Sequence, residues 1–275
     1  MELDLNPWLE TLGACLLAGL GVLLGYWFSR LPKPYWLLGY FIPLVVVIMI
    51  GSTRRYSALE FIPPMSWLVA GRTEYALGGF IGTMILTTPL SRVPHPRDRI
   101  MVMIFMVMLV ALSSVWPFLA PAFNRNYLFA LQTKIDADGI CRQSTEYNCG
   151  PAAAVTALRK LGFPAEEGPI AIAAHTSNAI GTPPDLLHHA LRKLYPTNGL
   201  VCEYRHFKSV SDLTNGGITL AVIKFGLLVD HYVAVLEVTD REVVVGDPFA
   251  GKAIYTPEQF ARKWRYAGVV LKRET

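Results

Sequence analysis

CRQSTEYNCGPAAAV, residues 141–155, is the stretch on which the reading of this chain turns. A cysteine followed at once by glycine and proline stands at the mouth of an alanine-rich run, and a lone glutamine, Gln143, lies six residues before that cysteine, Cys149. Further on, Ala153, Thr156, Ala157 and Leu161 recur at helical spacing, Arg159 and Lys160 fill the last turn, and Gly162 follows as a stop. The spacing predicts a helix that opens at Cys149, with Asn148 as its N-cap and Pro151 tolerated in its first turn. A cysteine so placed sits at the positive end of the helix dipole, where a thiolate is favoured. Position alone leaves three roles open for it: core residue, half of a disulfide, or nucleophile.

A nucleophilic thiolate needs a base and a group that orients the base. HYVAVLEVTDREVVVGDPFAGK, residues 231–252, holds candidates for both. Two valine-rich runs flank a polar turn at Thr239-Asp240, which predicts a β-hairpin. With residues 238 and 241 flanking a two-residue turn, His231 falls opposite Pro248, and one residue of slack brings it opposite Asp247. Cross-strand neighbours stand about 5 Å apart at Cβ, so an imidazole–carboxylate hydrogen bond is natural there. Asp247 would then fix the tautomer of His231 and leave its other nitrogen for Cys149. Taken alone, a strand-end histidine and a turn-forming Asp-Pro are ordinary features. Gln143 adds a side-chain amide which, with the backbone N–H of Cys149, would face a developing oxyanion. In isolation it reads equally well as a solvent-facing loop glutamine.

Gln143, then Cys149-Gly150, an alanine-rich helix, His231-Tyr-Val-Ala-Val and Gly246-Asp247-Pro248, in that order, resemble the C39 peptidase family. These are papain-like cysteine peptidases, among them the domains that remove double-glycine leaders from bacteriocin precursors. The resemblance covers residues 138–272; GTPPDLLHHALRKL (181–194) is similar to the family's second helical region, and TPEQFARKW (256–264) to its closing segment before a last strand, AGVVLKR. It implies an α+β domain, a helical part plus an antiparallel sheet. Cys149 would be the nucleophile, His231 the general base, Asp247 the orienting acid and Gln143 the oxyanion donor. It also implies a peptide or protein substrate, cut after small residues such as Gly-Gly, with no cofactor. Two other readings stay open: a catalytically silent peptide-binding module, and amide transfer or deamidation by the same thiol.

The well-known family members are fused to an ABC transporter with six spans and a nucleotide-binding domain, a pattern these 275 residues do not show. GDPFAGKA, residues 246–253, fits GxxxxGK, yet Ala253 stands where a P-loop needs Ser or Thr and the start of a helix. No nucleotide is expected. The net charge of +4 is scattered, which argues against nucleic acid. His188 and His189 are adjacent on a predicted helix and point apart, while Asp185 and His189 share a face but lack an obvious third ligand, so no metal is expected. His175 and His206 read as ordinary loop or strand histidines.

The chain is 52% hydrophobic and 17% charged, with mean hydropathy +0.36, more apolar than an average soluble domain. The excess is concentrated in residues 8–123. This predicts two domains, a multi-pass transmembrane domain over residues 1–125 and the C39-like domain over residues 135–275. Four spans in a lipid bilayer are expected, at residues 8–28, 35–50, 75–90 and 100–119. Residues 61–70 read as an interfacial or re-entrant piece, because Pro63-Pro64, Arg72 and Glu74 interrupt the tract and a charged pair deep in lipid is costly. Arg30, Lys33, Arg92, Arg97 and Arg99 outnumber Arg54 and Arg55 on the other side, which places both termini and the peptidase domain outside the cell membrane. A crossing by residues 61–70 would reverse that. The start, MELDLNPWLE, is acidic and lacks the basic region of a cleavable signal peptide. Cys15 reads as packing; Cys141 and Cys202 are the pair available for a disulfide in an extracytoplasmic domain, and a Cys141–Cys149 bond would silence the nucleophile.

Overall fold

A computed structural model describes residues 6–196, 199–214, 217–226 and 229–274, and the chain divides into two units, Met1–Ala122 and Phe123–Thr275. In the first, α1 (Pro7–Ser29) is followed by a 3-10 turn (Tyr35–Tyr40) that leads into α2 (Phe41–Arg55). A short α3 (Met65–Val69) and α4 (Thr73–Thr87) come next. Then α5 (Pro96–Val110) runs through a π-helical stretch, Ala111–Val115, into α6 (Trp116–Phe129). Small residues decide how α1 packs. Ala14, Ala18, Gly21, Gly25 and Ser29 recur every three or four residues and form its buried face. A Cβ on Gly21 would lie 2.4 Å from the Phe80 carbonyl oxygen of α4, so the two backbones approach as closely as only glycine allows. The opposite face, with Leu9, Leu12, Leu16, Leu20 and Leu23, is exposed.

Buried polarity in this unit has local causes. Pro121 has no N–H, which orphans the carbonyl of Pro117 one turn earlier. Arg72, buried ahead of α4, donates Nη1 to the carbonyls of Pro117 and Phe118, each at 3.3 Å. Its other end pairs with Glu10 of α1, and Arg54 of α2 pairs with Glu74 of α4.

Among the described residues, three helical stretches are long and apolar enough to cross a membrane: Pro7–Ser29, Tyr35–Arg55 and Pro96–Phe129. The residues expected as a span at 75–90 fall largely in α4, 15 residues or about 22 Å long. Its Gly79, Phe80, Ile81, Thr83, Met84 and Thr87 are buried within the unit. Residues 61–70 contain the end of a 3-10 turn, Ser57–Phe61, and α3.

The second unit opens with a two-stranded ribbon, β1 (Lys134–Ile135) against β2 (Cys141–Arg142). The helices α7 (Cys149–Lys160), α8 (Glu167–Ala173) and α9 (Pro184–Leu194) follow. The strands β3 (Leu200–His206), β4 (Ile218–Gly226), β5 (Val229–Val238), β6 (Val243–Asp247), β7 (Gly251–Tyr255) and β8 (Trp264–Arg273) form an antiparallel sheet in the order β3-β8-β4-β5-β6-β7, and α10 (Pro257–Lys263) precedes β8. Strand alternation sorts the core into two layers. Leu220, Val222, Tyr232, Ala234, Val269 and Leu271 pack with the alanines of α7 and with Leu187 and Leu191 of α9. Ala221, Ile223, Val233, Val235 and Val270 pack with Phe207, Phe260 and Trp264. The fold is thus helical in its first half, with an α+β domain after it. GDPFAGKA runs from β6 through a turn into β7, with no helix at Lys252.

Candidate active site

The helix predicted from the opening stretch is present, and Cys149 is its first residue. It ends as expected: Leu161 is the C-cap, Gly162 takes φ +82°, and the Phe163 N–H reaches back to the Leu158 carbonyl at 2.9 Å. Gly150 is closely packed: a Cβ there would meet the Thr182 side chain at 3.0 Å. Asn148 holds the N-cap position but not the capping role. Its backbone sits near φ −97°, ψ 15° rather than extended, and its fully buried side chain makes no capping bond. A residue turned inward in this way leaves the N–H groups of the first turn uncapped by its side chain.

His231 lies on β5 and Asp247 ends β6, with His231 Nε2 2.7 Å from Asp247 Oδ1 and both residues buried. The Cys149 thiol acts on the His231 imidazole, helping to raise its pKa. With Nε2 held by Asp247, Nδ1 is the ring nitrogen left for the thiol. The register that achieves this differs from the two-residue turn of the sequence reading. The β5–β6 connection spans Thr239–Glu242, closed by Thr239 N–H to the Glu242 carbonyl at 2.8 Å, and β5 bulges between Val235 and Glu237. Ala234 pairs with Gly246, so continuing the ladder sets Asp247 opposite Val233, two residues from His231. The pair is therefore diagonal and not directly opposed, a separation an imidazole and a carboxylate can bridge. Gly246 is needed here as well, because a Cβ would crowd Thr156 of α7 at 3.1 Å.

Burial pulls the His231 imidazole down, and the Asp247 carboxylate and the Cys149 thiol together push it the other way, up to about 9. For Asp247, burial acts upward, but the His231 bond and the N–H groups of Phe249 and Ala250, at 2.8 and 3.3 Å, hold it below the usual carboxylate range. The imidazole stays charged through neutral pH, and Cys149 stands at the mouth of α7.

Gln143 is tied to the same place through its backbone, whose N–H donates to the Pro248 carbonyl at 3.1 Å, one residue past Asp247. Its Oε1 is buried with no partner among the described residues. An aromatic wall beside His231 was not legible from sequence. The exposed ring of Phe225 lies 5.2 Å from the imidazole and 5.9 Å from Phe249, also exposed. Also unanticipated is Glu167, fully buried, whose carboxylate grips Ser144 next to Gln143. A glutamate in an acidic pair before a short helix carries no sequence signal of that contact.

The cysteines are all free thiols, which removes both disulfides considered from sequence. Cys141 Sγ rests 4.0 Å from the Arg142 carbonyl and Cys202 Sγ 3.9 Å from that of His188, each in its own pocket. Burial pushes both thiols up to about 12. His188 Nε2 lies 3.2 Å from the Cys202 carbonyl, and burial lowers its pKa.

The helices-then-sheet order, with a thiol, an imidazole and a carboxylate meeting at a helix mouth, places the second unit among papain-like peptidase folds. Residues 138–275 match the Peptidase C39 family, and the chain belongs to that family. An uncharacterized protein of Methanothermobacter marburgensis is 31% identical over 147 residues, 54% of this chain and 97% of the relative. One from Methanothermobacter thermautotrophicus is 30% identical over 146 residues, 53% and 96% of the two chains. Among solved structures, the peptidase domain of Streptococcus ComA, a bifunctional ABC transporter of a quorum-sensing pathway, matches with TM-score 0.42 and 18% identity, over 48% of this chain and 96% of that one. A double-glycine motif protease from an AMS/PCAT transporter, solved with a leader peptide, matches with TM-score 0.41 and 15% identity, over 52% and 93%.

Proposed function

We propose that the chain is a membrane-anchored cysteine peptidase, with residues 1–125 as the anchor and residues 135–275 as the catalytic domain. The observation that carries this reading is the buried 2.7 Å bond between His231 Nε2 and Asp247 Oδ1, with Cys149, the first residue of α7, acting on the same imidazole. In the proposed reaction the Cys149 thiolate attacks the scissile carbonyl carbon and the C=O π pair moves onto oxygen. The Gln143 amide and the Cys149 N–H hold that oxyanion. His231 gives its proton to the leaving amine as the C–N bond breaks. It then takes a proton from water, which attacks the thioester and frees Cys149. A thiol, a base, an orienting acid and an amide donor form one working set, which favours hydrolysis over a silent binding module.

Substrate and side of the membrane belong to this proposal too. The family resemblance points to a leader-type or membrane-associated peptide cut after small residues, and the exposed Phe225 and Phe249 offer apolar surface to its neighbouring side chains. The Arg30, Lys33, Arg92, Arg97 and Arg99 set favours an extracytoplasmic peptidase domain at the cell membrane. The test compares membranes carrying the wild-type chain with membranes carrying Cys149→Ala. A peptide that accumulates uncut only with the variant identifies the substrate, and its cleaved terminus gives the specificity. Identical peptide profiles in the two membranes would remove the enzyme reading.

A further inference from the structure

We infer that Glu167 is the positioning residue of the oxyanion loop, holding Gln143 in place through Ser144. This rests on the reading of Gln143 as oxyanion donor and extends it to a residue outside the Cys-His-Asp set.

Gln143 is fixed on one side by its own N–H, which donates to the Pro248 carbonyl at 3.1 Å. On the other side the next residue is gripped twice by one carboxylate. The Ser144 N–H donates to Glu167 Oε1 at 3.0 Å, and the Ser144 Oγ donates to Glu167 Oε2 at 2.6 Å. Bonds to a carboxylate are short and strong, and a two-point grip fixes orientation as well as distance. A glutamine side chain that must present its amide within a few tenths of an ångström of a transient oxyanion needs its backbone fixed in this way.

Glu167 is itself held. Its backbone N–H donates to Thr133 Oγ1 at 2.9 Å, and at the next residue, Gly168, a Cβ would lie 2.5 Å from the Leu128 carbonyl oxygen. No larger residue fits at 168 without moving α8. The Glu167 side chain is fully buried, where a carboxylate is tolerated only if its oxygens are hydrogen-bonded. Both of them are spent on Ser144. A residue serving only the fold would be cheaper as an apolar side chain, whereas a loop that must keep one geometry around a reacting atom has use for a fixed acceptor pair.

Acyl transfer and alkylation separate this role from a general structural one. Both need the Cys149 thiolate, but only acyl transfer passes through an oxyanion. The full chain in detergent is treated with 4-nitrophenyl acetate and, separately, with iodoacetamide. Acetylation and alkylation are read by mass spectrometry at the Cys149 peptide, because Cys15 is an exposed thiol that also reacts. In the first reaction the thiolate adds to the ester carbonyl and the tetrahedral oxyanion collapses to expel 4-nitrophenolate. In the second it displaces iodide directly.

Glu167→Ala is expected to slow acetylation roughly tenfold or more while alkylation stays within about twofold. Glu167→Gln, which keeps an acceptor for the Ser144 N–H, is expected to recover most of the acetylation rate. Equal acetylation by wild type and Glu167→Ala overturns the inference, and so does a parallel fall in both reactions for Glu167→Ala and Glu167→Gln alike. Gln143→Ala distinguishes failure of the underlying reading. If it acetylates like wild type while Cys149→Ala does not react, the oxyanion assignment of Gln143 falls and takes this inference with it.

Discussion

The two units of the chain solve opposite packing problems with the same twenty side chains. In α1 the small residues are inside and the large ones outside: it buries Ala14, Ala18, Gly21 and Gly25 and exposes Leu9, Leu16 and Leu23. In the catalytic unit the order is the usual one, with Leu158, Leu187, Leu220, Phe260 and Trp264 fully buried. The helical unit is held by close backbone approach, and its buried charges satisfy orphaned carbonyls or one another. The second unit is held by apolar area removed from water, and its buried His231–Asp247 pair and Glu167 carboxylate are each hydrogen-bonded.

The largest test of that contrast is at Asp247, a buried charge whose loss should cost activity far more than fold. Asp247→Asn removes the charge that orients His231 while keeping the side chain's shape. The peptidase rate is expected to fall about 10²–10⁴-fold, the scale on which orienting carboxylates act in such sites. The pH profile should move as well. In the wild type the His231 imidazolium persists until pH rises through about 9, so activity declines on that limb. Without the carboxylate, burial dominates and the imidazole loses its proton at lower pH, so the basic limb shifts down. Linkage gives the matching stability sign. His231 is raised from 6.5 to about 9, so its stabilisation is fully present below pH 6.5 and is lost as pH rises through about 9. A variant profile that overlays the wild-type one would remove Asp247 from the site.

Next in size is a reciprocal pair of substitutions. Leu158→Ala in the catalytic unit deletes a fully buried side chain from α7 and should cost about 2–5 kcal/mol. Gly21→Leu in the helical unit adds bulk where a Cβ alone would lie 2.3 Å from Thr83 Oγ1 and 2.4 Å from the Phe80 carbonyl, and should cost about 1–3 kcal/mol or more. Gly19→Leu, where nothing lies within 4 Å, is the neutral control. Thermal unfolding in detergent reads all three. If Gly21→Leu and Gly19→Leu behave alike, close approach of α1 and α4 is not what holds the helical unit.

The sequence revealed chemistry better than geometry. Cys149 at a helix mouth and the Gly162 stop both followed from local rules of caps and dipoles, and local rules survive folding. The hairpin register did not, because the Leu236 bulge and the longer Thr239–Glu242 turn are settled by how β5 fits its neighbours. Asn148 was assigned a cap because asparagine caps helices, yet tertiary packing turned it inward. Glu167 was unreadable for a different reason, since its partner Ser144 lies 23 residues away and no periodicity connects them. Residues 75–90, expected as the third span, fall largely in α4, and hydropathy could not show that Gly79, Phe80, Thr83 and Met84 would be buried within the unit.

The smallest test concerns helix caps, which both units possess. In the catalytic unit Thr256 and Gln259 form a capping box at α10: the Gln259 N–H donates to Thr256 Oγ1 at 3.3 Å and the Thr256 N–H to Gln259 Oε1 at 3.0 Å. In the helical unit Asn6 Oδ1 accepts the Trp8 N–H at 3.0 Å ahead of α1. The bonds are alike but the helices are not. α10 has 7 residues, too few to form without its cap and the docking of Phe260, whereas α1 has 23 and nucleates anywhere along a close-packed face. Thr256→Ala is therefore expected to cost about 1 kcal/mol and Asn6→Ala less than about 0.5 kcal/mol. Equal costs in the two units would mean that caps act independently of what surrounds the helix. A larger cost at Asn6 would show that the entry to α1, and not its small-residue face, limits the stability of the helical unit.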